Sequence, residues 1–394
     1  MVKSLISTAL VFALGSAVLA TLPVGAVQAQ TKTASTKKVN KPVAKKAAKK
    51  APPTAKGTAK AAGSANSPGV LAGEAAMQRA RAADEAAVQA AAARKTAGTA
   101  AWSSGDVMNA ATAADWREPD PSNIVLMDVR THAASAPQQV VMELAPRFAP
   151  EHAANIRALV RGGYFDGLAV LRVQDNFVTQ WGDPGEPVGA ENARTRPLPD
   201  AAKAKLPAEF DAPLAGLPLD ALTETDGWAP LNGFVDGFPV AADPAKTPQG
   251  RAWVAHCYGT VGAGRGNEID SSTGASLYAI IGHSPRALDL NITVVGRILK
   301  GIEHLAALPR GGGNMGFYKP EENRPPLLSA KLLADLPEAE RPRVLVMRTD
   351  TPTWAQVLHS RRYRGGWYVA STGRVDLCST QVPVRVTPPA APAP

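Results

Sequence analysis

The stretch that most limits what this chain can become runs from Gly163 to Pro184, GYFDGLAVLRVQDNFVTQWGDP. Leu168 to Val173 is an apolar run broken only by Arg172, which reads as a strand. Turn signals bound it on both sides: Tyr164-Phe165-Asp166-Gly167 before, Gly182-Asp183-Pro184 after. A cation in such a run is unusual, because charges are rarely buried unless paired. Two readings fit. One is an edge-strand Arg whose head group reaches water. The other is an Arg fixed on a rigid strand and aimed at a carbonyl over an apolar floor.

A chain of 394 residues accommodates one sizeable core with appendages, or two domains. Its net charge of +9 suggests an anionic partner until the charges are located. Ten lysines and no Asp or Glu lie between Thr31 and Gly73. With Lys3 they account for more than the whole excess, so the rest of the chain is near neutral. The basicity belongs to a tail and not to a binding face, which argues against a nucleic-acid partner. Met1 to Ala29 reads as a secretory signal peptide, with Lys3, an apolar run from Leu5 to Leu22, and Val27-Gln28-Ala29 as cleavage site. An uncleaved anchor is the alternative. Export, to a periplasm if the source is bacterial, is therefore expected. Residues 30–70 are Lys-, Ala- and Pro-rich and read as a disordered spacer, or as a segment loosely attracted to an anionic envelope surface. Residues 71–97 read as a lone Ala-rich helix or stalk, since Met77 and Val88 are its main large apolar residues. Export permits a disulfide between Cys257 and Cys378; two thiols buried apart fit the sequence equally. No Cys/His spacing resembles a metal site, and no cofactor is expected.

The core domain is placed at residues 115–349. Ile124–Val129 and Gln139–Leu144 read as strands, with Glu143 facing outward or paired. Pro150 opens a helix to about Arg161, ended by Gly162-Gly163. His152 in its first turn reads as a helix-end or surface residue. Residues 186–250 are Pro-, Gly- and Asp-rich, and about 212–250 read as an insertion that Trp228, Phe234 and Phe238 fold back onto something. Arg251–Val261 and Leu277–Ile281 read as further strand regions. The Gly262–Gly266 run lacks the Lys-Ser/Thr of a phosphate loop. Arg343–Met347 is expected to be the last barrel strand. Trp354, Trp367, Tyr368 and Cys378 in 350–394 argue for a packed C-terminal extension.

These segments together resemble the cyclophilin family of peptidyl-prolyl isomerases. Its signature is a Tyr-Asp-Gly turn, a strand carrying Phe-His-Arg, then Phe-Met-x-Gln-Gly-Gly-Asp. Arg172, Phe177, Gln180, Gly182 and Asp183 match; Val170-Leu171 replace the Phe-His and Val178 the Met. Asn155 matches the Ala-Pro-x-x-x-x-Asn helix start. Ser276 matches the Ser of Ser-Gln-Phe-Phe-Ile, with Leu277, Tyr278 and Ala279 replacing Gln, Phe and Phe. Leu288 to Ile298 matches Leu-Asp-x-x-x-x-Val-Phe-Gly-x-Val, with Ile292 where some members have His.

The resemblance implies a mainly β fold, a closed eight-stranded antiparallel barrel capped by two helices and preceded by a disordered and helical extension. It implies isomerisation of X–Pro bonds, here in exported proteins. Arg172 is expected to stabilise the twisted amide and Gln180 to bond the Arg or the peptide backbone. Phe177, Val178, Leu277, Ala279, Leu288 and Ile292 are the expected substrate-binding residues. The partners implied are extended or unfolded Pro-containing chains, met by a monomer. The alternative is a catalytically weak cyclophilin-shaped module that grips such chains as a chaperone or scaffold. A hydrolase using His256 and Cys257 is disfavoured, because adjacent strand residues point to opposite faces, and no Gly-x-Ser-x-Gly elbow occurs.

Overall fold

Alternating burial along short strands builds the centre of the molecule, seen in a computed structural model that describes residues 64–98, 102–131, 136–185 and 194–389. The expected signal peptide and most of the Lys-rich segment lie outside the described residues. The helices are α1 (Pro68–Thr96), α2 (Ser104–Ala110), α3 (Pro150–Arg161), α4 (Ile302–Ala306) and α5 (Pro352–Arg362). The strands begin with β1 (Trp116–Arg117), β2 (Ile124–Val129), β3 (Gln138–Leu144), β4 (Ala169–Val173) and β5 (Val178–Gly182). Next come β6 (Asp220–Ala221), β7 (Leu231–Val235), β8 (Phe238–Asp243), β9 (Arg251–Val254) and β10 (Thr260–Ala263). The last are β11 (Ser276–Ile280), β12 (Val294–Lys300), β13 (Leu327–Leu332), β14 (Arg343–Met347) and β15 (Val384–Thr387).

Eight strands form one antiparallel sheet in the order β13-β2-β3-β12-β10-β11-β5-β4. Its two ends meet where Leu327 donates to the Leu168 carbonyl and Gly167 to the Leu327 carbonyl, each at 2.8 Å. The sheet is thus a nearly closed barrel, which leaves few open edges. Val125, Met127 and Val129 from β2 and Val140, Met142 and Leu144 from β3 point inside, where Ile156 and Leu159 of α3 and Leu305 of α4 cap them. Ile124 and Leu126 face outward but are also buried, against Leu333 and Val344. This double coverage explains why β2 reads as a continuous apolar run.

Several expectations are corrected or refined. Arg343–Met347 does not close the barrel; it pairs with β1 and β15 in a separate three-stranded sheet, and Leu327–Leu332 is the closing strand. The 212–250 insertion folds back through Phe234 and Phe238, both buried, and its β6, β7 and β8 form a four-stranded sheet with β9, but Trp228, expected to take part, stays 58 % exposed. Helix α1 is not a lone stalk. Its Ala76 and Ala80 pack with Leu231 and Val240, and a Cβ on Gly69 or Gly73 would collide with Gly250 or Pro244. A face of small residues lets backbones approach closely, so the helix needs no stripe of large side chains. In the C-terminal extension Trp354 is buried, but Trp367 and Tyr368 are exposed.

Polar residues in the core are matched. Glu143 is buried and paired with Arg117 (2.6 Å) and Arg297 (2.8 Å). His152 is buried, not on the surface, and its Nδ1 lies 2.6 Å from Glu209 Oε2. The Glu209 carboxylate also accepts the backbone N–H groups of Glu151 and His152, so it caps α3. Cys257 and Cys378 form a disulfide that ties the C-terminal extension to the segment entering β10.

Candidate active site

The candidate site is a row of side chains across the outer face of the barrel, set by strand register. Arg172 on β4 opposes Gln180 on β5. Gln180 opposes Tyr278 on β11, and Tyr278 opposes Gly262 on β10. Side chains opposite one another in a sheet share a face. One step along the strands, Val178 opposes Ile280. Val178, Tyr278 and Ile280 form an apolar cluster with Phe177 and Ile292 packed against it. Expected residues Arg172, Gln180, Phe177, Val178 and Ile292 are therefore brought to one face.

Leu277 and Ala279 are not. Both are fully buried in the barrel interior, beside Trp181, Val261 and Ala263. The reason is a one-residue slip in matching Ser-Gln-Phe-Phe-Ile to this chain. Because strand side chains alternate, a slip of one moves every residue to the other face. The structure puts Ser276 where the motif's Gln was sought and Tyr278 where its second Phe was sought. Leu277, Ala279 and Ile280 are all apolar, so alternation gave no warning; the one aromatic residue of the run, Tyr278, was the available signal. Leu288 sits half-buried on a 3-10 turn, Arg286–Leu288.

Arg172 is 7 % exposed and held in place rather than solvated. Its Nε donates to the Met315 carbonyl at 2.6 Å, and its Nη2 donates to Gln174 Oε1. The guanidinium lies over the Phe177 ring at 5.2 Å and the Phe317 ring at 5.3 Å, within cation–π range. Burial pushes its pKa below the usual guanidinium range, with Tyr278 opposing, yet an Arg in this position stays charged. Among the described residues Nη1 has no hydrogen-bond partner, so both of its N–H groups are open to a ligand. Gln180 does not bond Arg172: its Nε2 donates to Ser276 Oγ at 3.0 Å.

Behind the cluster runs a buried polar chain that sequence reasoning missed. Tyr278 Oη lies 3.1 Å from His256 Nε2, and His256 Nδ1 lies 2.9 Å from Asp289 Oδ1. Asp289 also accepts from Trp253 Nε1 (2.9 Å) and Arg286 Nε (2.6 Å), and Arg286 pairs with Asp226 at 2.8 Å. Burial raises the Asp289 pKa, but hydrogen bonds from His256 and the charge of Arg286 outweigh it and hold the carboxylate below its usual range. Burial pushes the Tyr278 hydroxyl up, Asp289 adds to this, and Arg172 opposes it. The phenol therefore keeps its proton. Gly262 makes room for the ring: a Cβ there would sit 2.3 Å from Tyr278 Cζ.

The turn after β5 is anchored by Asp183. Burial raises its pKa, but hydrogen bonds from Thr195, Gly185 and Tyr164 prevail and hold it low. Gly182 has φ +127°, and a Cβ there would meet the Ala275 carbonyl at 2.2 Å, so no larger residue fits. Cys257 is consumed in the disulfide and His256 in the polar chain, which leaves neither as a hydrolytic nucleophile or base. Among the described residues no group of three or more His, Cys, Asp or Glu is placed to hold a metal ion.

The geometry agrees with comparisons to known proteins. The family model "Cyclophilin type peptidyl-prolyl cis-trans isomerase/CLD" matches residues 126–330, from the second residue pair of β2 into β13. Probable peptidyl-prolyl cis-trans isomerases of Brucella suis biovar 1 and Brucella melitensis biotype 1 are each 39 % identical over 64 residues, 16 % of this chain. The match spans 30 % of the length of those relatives. The crystal structure of a cyclophilin from Hirschia baltica superposes with a TM-score of 0.56 at 27 % identity, covering 74 % of this chain and 99 % of the other. On a barrel that closes where the family model ends, with the Arg-Phe-Gln set on one outer face, the chain belongs to the cyclophilin-type peptidyl-prolyl cis-trans isomerase family.

Proposed function

We propose that this protein catalyses cis–trans isomerisation of X–Pro bonds in extended polypeptides, with Arg172 as the catalytic residue. Rotation about the peptide bond faces a barrier of ~18–20 kcal/mol set by amide resonance. No nucleophile or metal is required to lower it. The nitrogen regains a lone pair as the amide twists, and a donor fixed beside the proline stabilises that form more than the planar one. Nη1 of Arg172 is such a donor, held over two aromatic faces by bonds from Nε and Nη2. Phe177, Val178, Tyr278 and Ile292 supply an apolar floor for the proline ring. In this reading Gln180, whose Nε2 donates to Ser276, gives its carbonyl oxygen to a peptide N–H. The single observation that carries this reading is the register row Arg172–Gln180–Tyr278 on the barrel's outer face.

The leader-like start supports exported polypeptides as the clients, met outside the cytoplasm. The test is catalysed exchange of a Pro-containing peptide, followed by NMR, for wild type, Arg172→Ala and Arg172→Lys. A charge-assisted bond is worth ~1.5–3 kcal/mol, so Arg172→Ala should lose roughly 10–100-fold in kcat/KM. Lys keeps the charge but not the planar fork that Met315 and Gln174 hold, and should recover little. Equal, near-background rates in all three would reduce the protein to a module that grips such chains without turning them.

A further inference from the structure

Resting on the isomerase reading, we propose that the loop Gly311–Phe317 is a second wall of the peptide site. In it, Met315 and Phe317 select a large apolar side chain next to the proline. The loop comes from the chain between α4 and β13 and lies along β4 beside Arg172. Gly311 donates to the Val173 carbonyl at 3.1 Å and Tyr318 to the Leu171 carbonyl at 3.0 Å, while Arg172 and Phe317 form an isolated bridge. Its shape is built in. Gly313 donates to the Phe317 carbonyl at 2.9 Å, and the Glu322 carboxylate accepts from the amides of Gly312 (3.1 Å) and Lys319 (2.6 Å).

Glycines are required by the close approach. A Cβ on Gly311 would meet the Gly316 carbonyl at 2.2 Å, and one on Gly316 would meet Gln174 Cα at 2.7 Å. Met315 itself takes a left-handed conformation, φ +54°, uncommon for a side chain of its type. That twist turns its carbonyl onto Arg172 Nε. It also leaves its side chain 55 % exposed, with Phe317 41 % exposed. Two large apolar residues next to the contact that fixes the catalytic guanidinium are thus exposed to solvent. In the proposed complex a peptide that accepts a bond from Arg172 Nη1 lays a neighbouring side chain against them. The thioether adapts to different shapes, and the Phe ring offers a flat face.

The experiment uses the full chain and matched peptides in which Phe, Leu or Ala stands immediately before or after the proline. Catalysed exchange is read by NMR, which favours no flanking residue. In wild type, kcat/KM for Phe and Leu peptides should exceed that for Ala by roughly tenfold in one of the two series, the scale of a few buried methylenes. Met315→Ala keeps the carbonyl that holds Arg172, and Phe317→Ser removes the ring; each should cut that ratio to roughly threefold or less. Wild-type turnover with no preference, or a preference that both variants retain, overturns this inference alone. Turnover of none of the peptides by wild type overturns the isomerase reading and this one with it.

Discussion

Replacing Tyr278 by Phe deletes a single oxygen and tests the polar chain behind the site. Tyr278 is 5 % exposed and His256 1 % exposed, so water does not replace what is lost. Asp289 Oδ1 accepts both the backbone N–H (3.0 Å) and Nδ1 (2.9 Å) of His256. That assigns the ring proton to Nδ1 and leaves Nε2 as acceptor for the Tyr278 hydroxyl. Tyr278→Phe strands Nε2 in a dry site, which costs about 1–3 kcal/mol. For a chain of this size that corresponds to a fall in Tm of roughly 1–4 °C. Gly262→Ala attacks the same phenol from the neighbouring strand, since its Cβ would sit 2.3 Å from Oη, and should destabilise by about 1–3 kcal/mol. Urea unfolding with an unchanged m-value reads both. A double-mutant cycle of Tyr278→Phe with His256→Ala should show coupling above about 0.5 kcal/mol. A Tyr278→Phe protein as stable as wild type, with an additive cycle, would refute the assignment of this bond.

Two further outcomes follow from the same structure. Asp220 accepts from Thr349 Oγ1 at 2.5 Å, yet burial pushes its pKa from 3.8 up to about 6, with the nearby Asp350 adding to the rise. A carboxyl raised in the folded state favours folding while protonated, so its contribution is full below about pH 4 and is lost as pH climbs through 6. Asp220→Asn should remove that dependence and stabilise at pH 7 by up to about 3 kcal/mol, measured as the urea midpoint at pH 4.5 and 7.5; equal shifts at both pH values would contradict the reasoning. The Cys257–Cys378 bond spans a sequence separation of 121 residues. In the chain-entropy model it contributes about 5 kcal/mol, so Cys378→Ser should lower the unfolding midpoint clearly under non-reducing conditions and erase the effect of added dithiothreitol, whereas an unmoved midpoint would contradict it.

Much of the barrel was legible because its local signals agree with one another. The Pro150 start and the Gly162-Gly163 stop delimit α3, and the Leu168–Val173 run with its lone Arg172 marks β4. Arg172, Phe177 and Gln180 were legible for the same reason: a short turn separates them, so local spacing alone brings them to one end of a hairpin. The strands of the insertion escaped notice because β6 has only two residues and β7 and β8 carry Gly233 and Pro239. What makes them strands is pairing with β8 and β9, which a local window does not contain.

Strand and turn signals around Arg172 and the near-neutral body behind a basic tail were readable from the residues alone, because alternation, turn chemistry and charge count act over a few residues. The type of fold was readable only through the ordered motifs that resemble a known family. The tertiary structure decided which face of β11 meets the substrate side, with Leu277 packed in the barrel interior and Tyr278 in the outer cluster. It alone also joined Cys257 to Cys378, closed the barrel with Leu327–Leu332, and carried Met315 and Phe317 to Arg172 across more than a hundred residues of chain. Those outcomes are contacts between distant segments, selected by packing and by the need to satisfy buried polar groups, and no pattern in a short stretch of sequence encodes them.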